Sequence, residues 1–250
     1  AAAPAGTSRS CQRPSNRSRS CSCSGLKAPA RCAYTSSQVI NRARLMLEHL
    51  AERQGRRGVA HAWLAKWHVL RVVQGWTPDA QAECAMAQDR VRRALDASPH
   101  DGLALAIGGL VHGYLRKDMD TAGRLFDDAR AASPNEPLAW LFSATRHAWR
   151  GEGAEAVRAG EMALSLSPLD PMRYFFDSLV ATAMLAGDDA ARAVELARRS
   201  IRANRTHAST WRTLIYALVK QGRVDEARAA AGELLAIEPA LTLRRFRERF

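Results

Sequence analysis

Between Ala132-Ser133-Pro134-Asn135 and Leu166-Ser167-Pro168-Leu169 the chain carries Trp140, Ala144, Gly151, Ala156 and Ala163, and this stretch recurs. Pro134 and Pro168 are 34 residues apart, as are Ala122 and Ala156, and Ala129 and Ala163. After one step about three residues longer, Ala193 and Ala227 restore the spacing of 34. The closing phrase appears again as Ala97-Ser98-Pro99-His100 and as Ile237-Glu238-Pro239-Ala240. A fixed period of this length marks stacked supersecondary units, each too small to bury its apolar face alone. Each residue type has a physical task at its place. The tryptophan fills the gap between helix pairs, and the alanines let helices cross closely. Glycine frees the turn, and proline stops the second helix because it has no N–H to give.

The unit resembles the tetratricopeptide repeat (TPR), a helix–turn–helix of this length. In the last copy the same places hold Trp211, Leu214, Gly222, Ala227 and Pro239. Other copies are degenerate. One has Gly108 and Gly109 at the close contact and a polar turn over Lys117–Asp120; another has Asn204-Arg205-Thr206 in place of its proline. The earliest opens with Trp63 and Trp67 and has a lengthened turn around Trp76–Pro78. The expectation is an all-α, TPR-type α-α superhelix, right-handed and without strands, with about five helix pairs from 59 to 239. Before them Val39, Ala43, Leu47 and Leu50 recur at helical spacing, predicting an unpaired helix. The basic amphipathic end, Leu241–Phe250, is expected to cap the stack.

Composition agrees. Apolar residues make up 47% and aromatics only 6%, a mixture suited to closely packed helices. The net charge of +12 is unevenly spread. Residues 1–35 hold Arg9, Arg13, Arg17, Arg19, Lys27 and Arg31 and no acid, which leaves 31 cations against 25 acids in residues 36–250. The repeat domain is therefore only modestly basic, and no basic run interleaved with aromatics points to nucleic acid. Residues 1–35 read as a disordered Ser/Arg-rich tail, and 36–250 as the repeat domain. Four cysteines, Cys11, Cys21, Cys23 and Cys32, lie in the tail at a spacing that fits no zinc pattern and no disulfide framework. No signal or lipid anchor is read at the start, and Leu103–Leu115 is too short to span a bilayer. A soluble cytoplasmic protein without membrane partners is the expectation.

No catalytic constellation, cofactor motif or metal-ligand set is present in the sequence: there is no Gly-rich phosphate loop, no His-Glu-x-x-His and no Gly-x-Ser-x-Gly. The seven histidines are scattered, and His61 and His68, seven apart, have no acid at ligand spacing. Trp63, Trp140 and Trp211 take the packing position between helices. Trp149 falls late on a first helix, on the face that lines the concave side of such solenoids. The same register places His68, Arg71, Tyr114, Thr145, Trp149, Arg212, Tyr216 and Lys220 there, as candidate contacts for a protein or peptide. Trp, Tyr and Arg are the usual interface anchors.

Two segments go beyond the generic repeat: Leu164-Ser165-Leu166-Ser167-Pro168-Leu169-Asp170-Pro171-Met172-Arg173-Tyr174-Phe175-Phe176, and Asn204-Arg205-Thr206-His207-Ala208-Ser209-Thr210-Trp211-Arg212. Over residues 36–250 the chain resembles the C-terminal TPR region of bacterial adenylate/guanylate cyclase-like proteins and of related winged-helix transcriptional regulators. That resemblance implies a sensory or partner-binding half, normally preceded by a cyclase or DNA-binding output domain. Here residues 1–35 stand in its place, without cyclase metal-binding aspartates or a recognition helix. The chain, which begins at Ala1, reads either as a C-terminal fragment or as a repeat domain behind a spuriously translated tail. The alternatives are a fragment of an adenylate cyclase whose catalytic domain is missing here, and an envelope-assembly TPR protein.

Overall fold

The computed structural model describes residues 30–53 and 58–249. Among them are twelve α-helices and no strand: α1 (Ala30–Arg53), α2 (Val59–Val73), α3 (Ala80–Ala97), α4 (Gly102–Leu115), α5 (Met119–Ala132), α6 (Pro137–Trp149), α7 (Gly153–Leu166), α8 (Arg173–Ala186), α9 (Ala190–Ala203), α10 (Ala208–Lys220), α11 (Val224–Ile237) and α12 (Leu243–Arg249). Helices α2 to α11 follow one another as five helix–turn–helix pairs. Helix α1 opens at Ala30, six residues before the change of character at Ser36. Residues 1–29, with Cys11, Cys21 and Cys23, lie outside the described residues. Among the described residues no helix is long and apolar enough to cross a membrane.

Local chemistry explains where the helices begin. Asp79, Asp101, Asp118 and Asp189 cap α3, α4, α5 and α9, each accepting from the backbone N–H three residues on. Pro137 opens α6, where a missing N–H leaves no gap in the ladder. Each turn inside a pair contains one residue in the left-handed region: Gly75, Lys117, Gly151, Asp188 and Gly222. Lys117 to Gly151 and Asp188 to Gly222 are again steps of 34, so the turn conformation repeats even where glycine does not.

The small residues of the repeat sit where the helices cross. Ala122, Ala129, Ala156, Ala163 and Ala193 are fully buried and Ala227 nearly so. A Cβ on Gly109 would lie 2.3 Å from the Phe126 ring, so glycine there admits the aromatic ring of α5. Trp140 and Trp211 are anchored alike, each indole N–H donating at 2.8 Å to the carbonyl six residues earlier, Pro134 and Arg205.

The first helices of the pairs, α2, α4, α6, α8 and α10, pack side by side, and each second helix packs against its own partner. The first helices therefore line one face. That face curls until its ends meet: Gln74 Nε2 donates to Ser209 Oγ at 3.2 Å, and Arg212 Nη2 to the Val73 carbonyl at 3.4 Å. These bonds tie the end of α2 to the start of α10 across the concavity.

Candidate functional site

The inward face of each first helix is apolar with a few polar groups set into it. Val69, Leu70 and Val73 come from α2, and Leu110 and Tyr114 from α4; Thr145 and Trp149 come from α6. Phe175, Ser178, Leu179 and Leu185 come from α8, and Arg212, Thr213 and Tyr216 from α10. Together they enclose a cavity of about 300 Å³. Phe246 of α12 stands at its edge, 39% exposed. A larger hollow between α1, α2 and α3 is lined by Glu48, Ala51, Glu52, His61, Arg90, Arg93, Asp96 and Ala97, three acids facing two arginines.

Five of the eight residues picked from the sequence converge on the central cavity: Tyr114, Thr145, Trp149, Arg212 and Tyr216. The Tyr114 and Trp149 rings meet edge to face, 4.3 Å between centroids. Burial pushes the Tyr114 phenol up, with a hydrogen bond to Thr145 acting against it. Trp149 and Tyr216 keep 42% and 57% of their surface exposed and so form the rim. Arg212 is held by Glu238 at 3.0 Å and by Ser209 Oγ at 2.9 Å.

Three residues fall elsewhere. His68 Nδ1 is 2.6 Å from Glu83 Oε2, and Arg71 Nε is 3.1 Å from Glu83 Oε1. Glu83 is buried on α3, so both side chains turn toward it and away from the cavity. A buried carboxylate needs cationic or donor partners, and this one is supplied by two. The acid partner that His68 lacks in its own helix thus comes from the next one. Lys220 reaches past the concave face to Asp188 Oδ1, at 2.8 Å, and fastens α10 to the α8–α9 turn.

The structure adds two groups. Lys66, 2% exposed, lines the cavity, with Nζ 4.6 Å from the Trp63 ring centroid and 4.7 Å from that of Phe175. Burial lowers its pKa to about 8, and the more distant Asp170 and Glu136 oppose the fall. The other is His207, also on the cavity wall. Ser200 Oγ donates to the Tyr174 carbonyl at 2.7 Å, so Thr210 must donate to Ser200 at 3.0 Å. Thr210 Oγ1 is then free only to accept, which makes His207 Nδ1, 2.8 Å away, the donor. Burial, with help from Arg212, lowers the His207 pKa to about 4. The ring is therefore neutral at pH 7 and its Nε2 carries a lone pair.

Other buried charges are satisfied by neighbours. Asp177 accepts two hydrogen bonds from Arg199, both at 2.7 Å, and a third from Arg173 at 3.1 Å, which joins α8 to α9. This cluster is structural.

No protein-family model matches the chain, and no curated protein matches it. Solved structures do. A structure of PilF from Pseudomonas aeruginosa is 17% identical and superposes with a TM-score of 0.51, over 71% of this chain and 78% of that one. PilW, described as a type IV pilus biogenesis factor, is 16% identical with a TM-score of 0.54, over 84% and 91%. A chain of the APC/C hetero-tetramer Cut9–Hcn1 is 16% identical with a TM-score of 0.60, over 79% of this chain but 37% of that longer one. At such identities the likeness establishes the fold, an all-α TPR superhelix.

Proposed function

We propose that the chain is a protein-interaction scaffold whose concave face holds a segment of a partner protein, and that it has no catalytic role of its own. The observation that carries this reading is the convergence of Trp149 and Tyr216, half-exposed residues from two different repeats, on the rim of one apolar concavity. Exposed aromatics over a preformed apolar hollow are the usual composition of an interface centre. The resemblance of the Leu164–Phe176 and Asn204–Arg212 segments supports a finer reading, in which this is the sensory or partner-binding part of a bacterial signalling or transcriptional regulator working in the cytoplasm.

The test uses peptides selected from a displayed library against the full chain. Trp149→Ala should weaken their binding by about 2 kcal/mol, roughly thirtyfold. Arg158→Ala, on the outer helix α7, should leave it unchanged. Equal loss in both variants, or none in either, removes the concave face as the binding surface.

A further inference from the structure

Among the described residues, two buried hydrogen-bond donors on the cavity wall have no acceptor: the Lys66 ammonium and the Ser178 hydroxyl. The Lys66 ammonium makes no hydrogen bond or ion pair among the described residues; it rests on the faces of Trp63 and Phe175. Asp170 and Glu136 reach it only through longer-range attraction, and both carboxylates already accept a backbone N–H, of Met172 and Leu138 respectively. Ser178 is 1% exposed, and its Oγ has no hydrogen-bond partner among the described residues. Ser178 lies three residues after Phe175, on the same face of α8 and one turn from the ring that Lys66 covers. An unpaired buried ammonium and an unpaired buried hydroxyl are each unfavourable, and both are relieved by the same kind of ligand atom.

Charge and shape define that ligand. Among the described residues Lys66 and Arg212 are the charged side chains that line the cavity; Arg212 is neutralised by Glu238, so it is the Lys66 charge that favours an anion there. The remaining wall is largely apolar, with Leu70, Leu110 and Leu179 among its residues. Its volume of about 300 Å³ lies at the lower end of small-molecule sites. The bonds from Gln74 to Ser209 and from Arg212 to Val73 close the concavity at one side, which makes it a cup and not a through-groove.

We propose that this cup is a small-ligand site for a monocarboxylate on an apolar body, with its carboxylate received by Lys66 Nζ and Ser178 Oγ. Its body lies against the leucines beneath Trp149. The proposal goes beyond the partner-binding reading and does not depend on it, because the rim aromatics and the buried lysine are separate groups.

The experiment is calorimetric titration of the full chain at pH 7 with octanoate, 1-octanol and octylamine. Octanoate should bind at least tenfold more tightly than either uncharged or cationic counterpart. Ser178→Ala should weaken it severalfold, Lys66→Met should erase the preference for the acid, and Lys220→Met, outside the cup, should not. Equal binding of octanoate and 1-octanol to the unmodified protein overturns the proposal without any variant. A preference that survives in a folded Lys66→Met protein overturns it too. A parallel arm compares a hexapeptide ending in Leu-Phe with its C-terminal amide. Tenfold discrimination there, with no binding of octanoate, assigns the carboxylate to a partner's chain end and rejects the small-ligand site. Loss of peptide binding in Trp149→Ala with octanoate binding intact separates the cup from the rim.

Discussion

Replacing Lys66 by methionine should make the protein more stable at neutral pH. The side chain is 2% exposed, and burial brings its pKa from 10.5 to about 8. At 1.36 kcal/mol for each pH unit, keeping the ammonium charged inside the fold costs roughly 3 kcal/mol. The ring faces of Trp63 and Phe175 return about 1–2 kcal/mol of this. Methionine has similar length, no charge and a flexible stem, so the net gain should be about 1–2 kcal/mol. The sign with pH follows from linkage. Below pH 8 both folded and unfolded chains carry the proton, and the full cost is present. Between about pH 8 and 10.5 the unfolded chain binds more protons than the folded one, so wild-type stability rises relative to the variant. Urea midpoints of both proteins at pH 7 and pH 10, with m-values checked for equality, measure this directly. A variant advantage at pH 7 that shrinks toward pH 10 agrees with the reasoning. A variant that is less stable by more than about 1 kcal/mol at pH 7, or an advantage indifferent to pH, refutes it.

Three further outcomes are expected. Ala156→Trp should destabilise by about 3 kcal/mol or more, since Ala156 has no exposed surface and packs with Ala144, Ala159 and Ala183; an unchanged urea midpoint would contradict that packing. Lys117→Gly should stabilise by about 0.5–1 kcal/mol, because a lysine at φ 58° occupies a conformation that glycine adopts freely, and thermal unfolding would show it. His207 should make stability fall as pH drops from about 6.5 to 4, because the unfolded chain takes up a proton that the buried ring refuses. His207→Gln should flatten that stretch of the pH profile by up to roughly 3 kcal/mol, and an identical slope in both proteins would rule the ring out as its source.

The repeat was legible because small residues must recur wherever helices cross, and Ala122, Ala156, Ala129 and Ala163 are fully buried as their spacing requires. The turns were legible only in part. Gly151 and Gly222 announce the left-handed residue, whereas Lys117 and Asp188 adopt it without any composition signal. At the site, helical register brought Tyr114, Thr145, Trp149, Arg212 and Tyr216 to one cavity. It misplaced His68 and Arg71, since the carboxylate that draws them, Glu83, sits on the neighbouring helix and no single-helix periodicity contains it. Lys66 was missed because a lysine between Ala65 and Trp67 reads as a solvated head on an apolar stem. The available signal was that its own face of α2, set by Ala62, Trp63, Val69, Leu70 and Val73 at helical spacing, is apolar throughout. The closure from Gln74 to Ser209 spans 135 positions and depends on curvature summed over five repeats, which no local pattern carries.

The concave face as the binding surface is tested most directly by photo-crosslinking. Benzoylphenylalanine is placed at Tyr216 on the rim or at Arg158 on the outer face, and a library-selected peptide is added to each. Strong crosslinking from position 216 and none from position 158 is the predicted result. Crosslinking from position 158 with none from 216 would place the partner on the outer helices and contradict a binding site in the concavity.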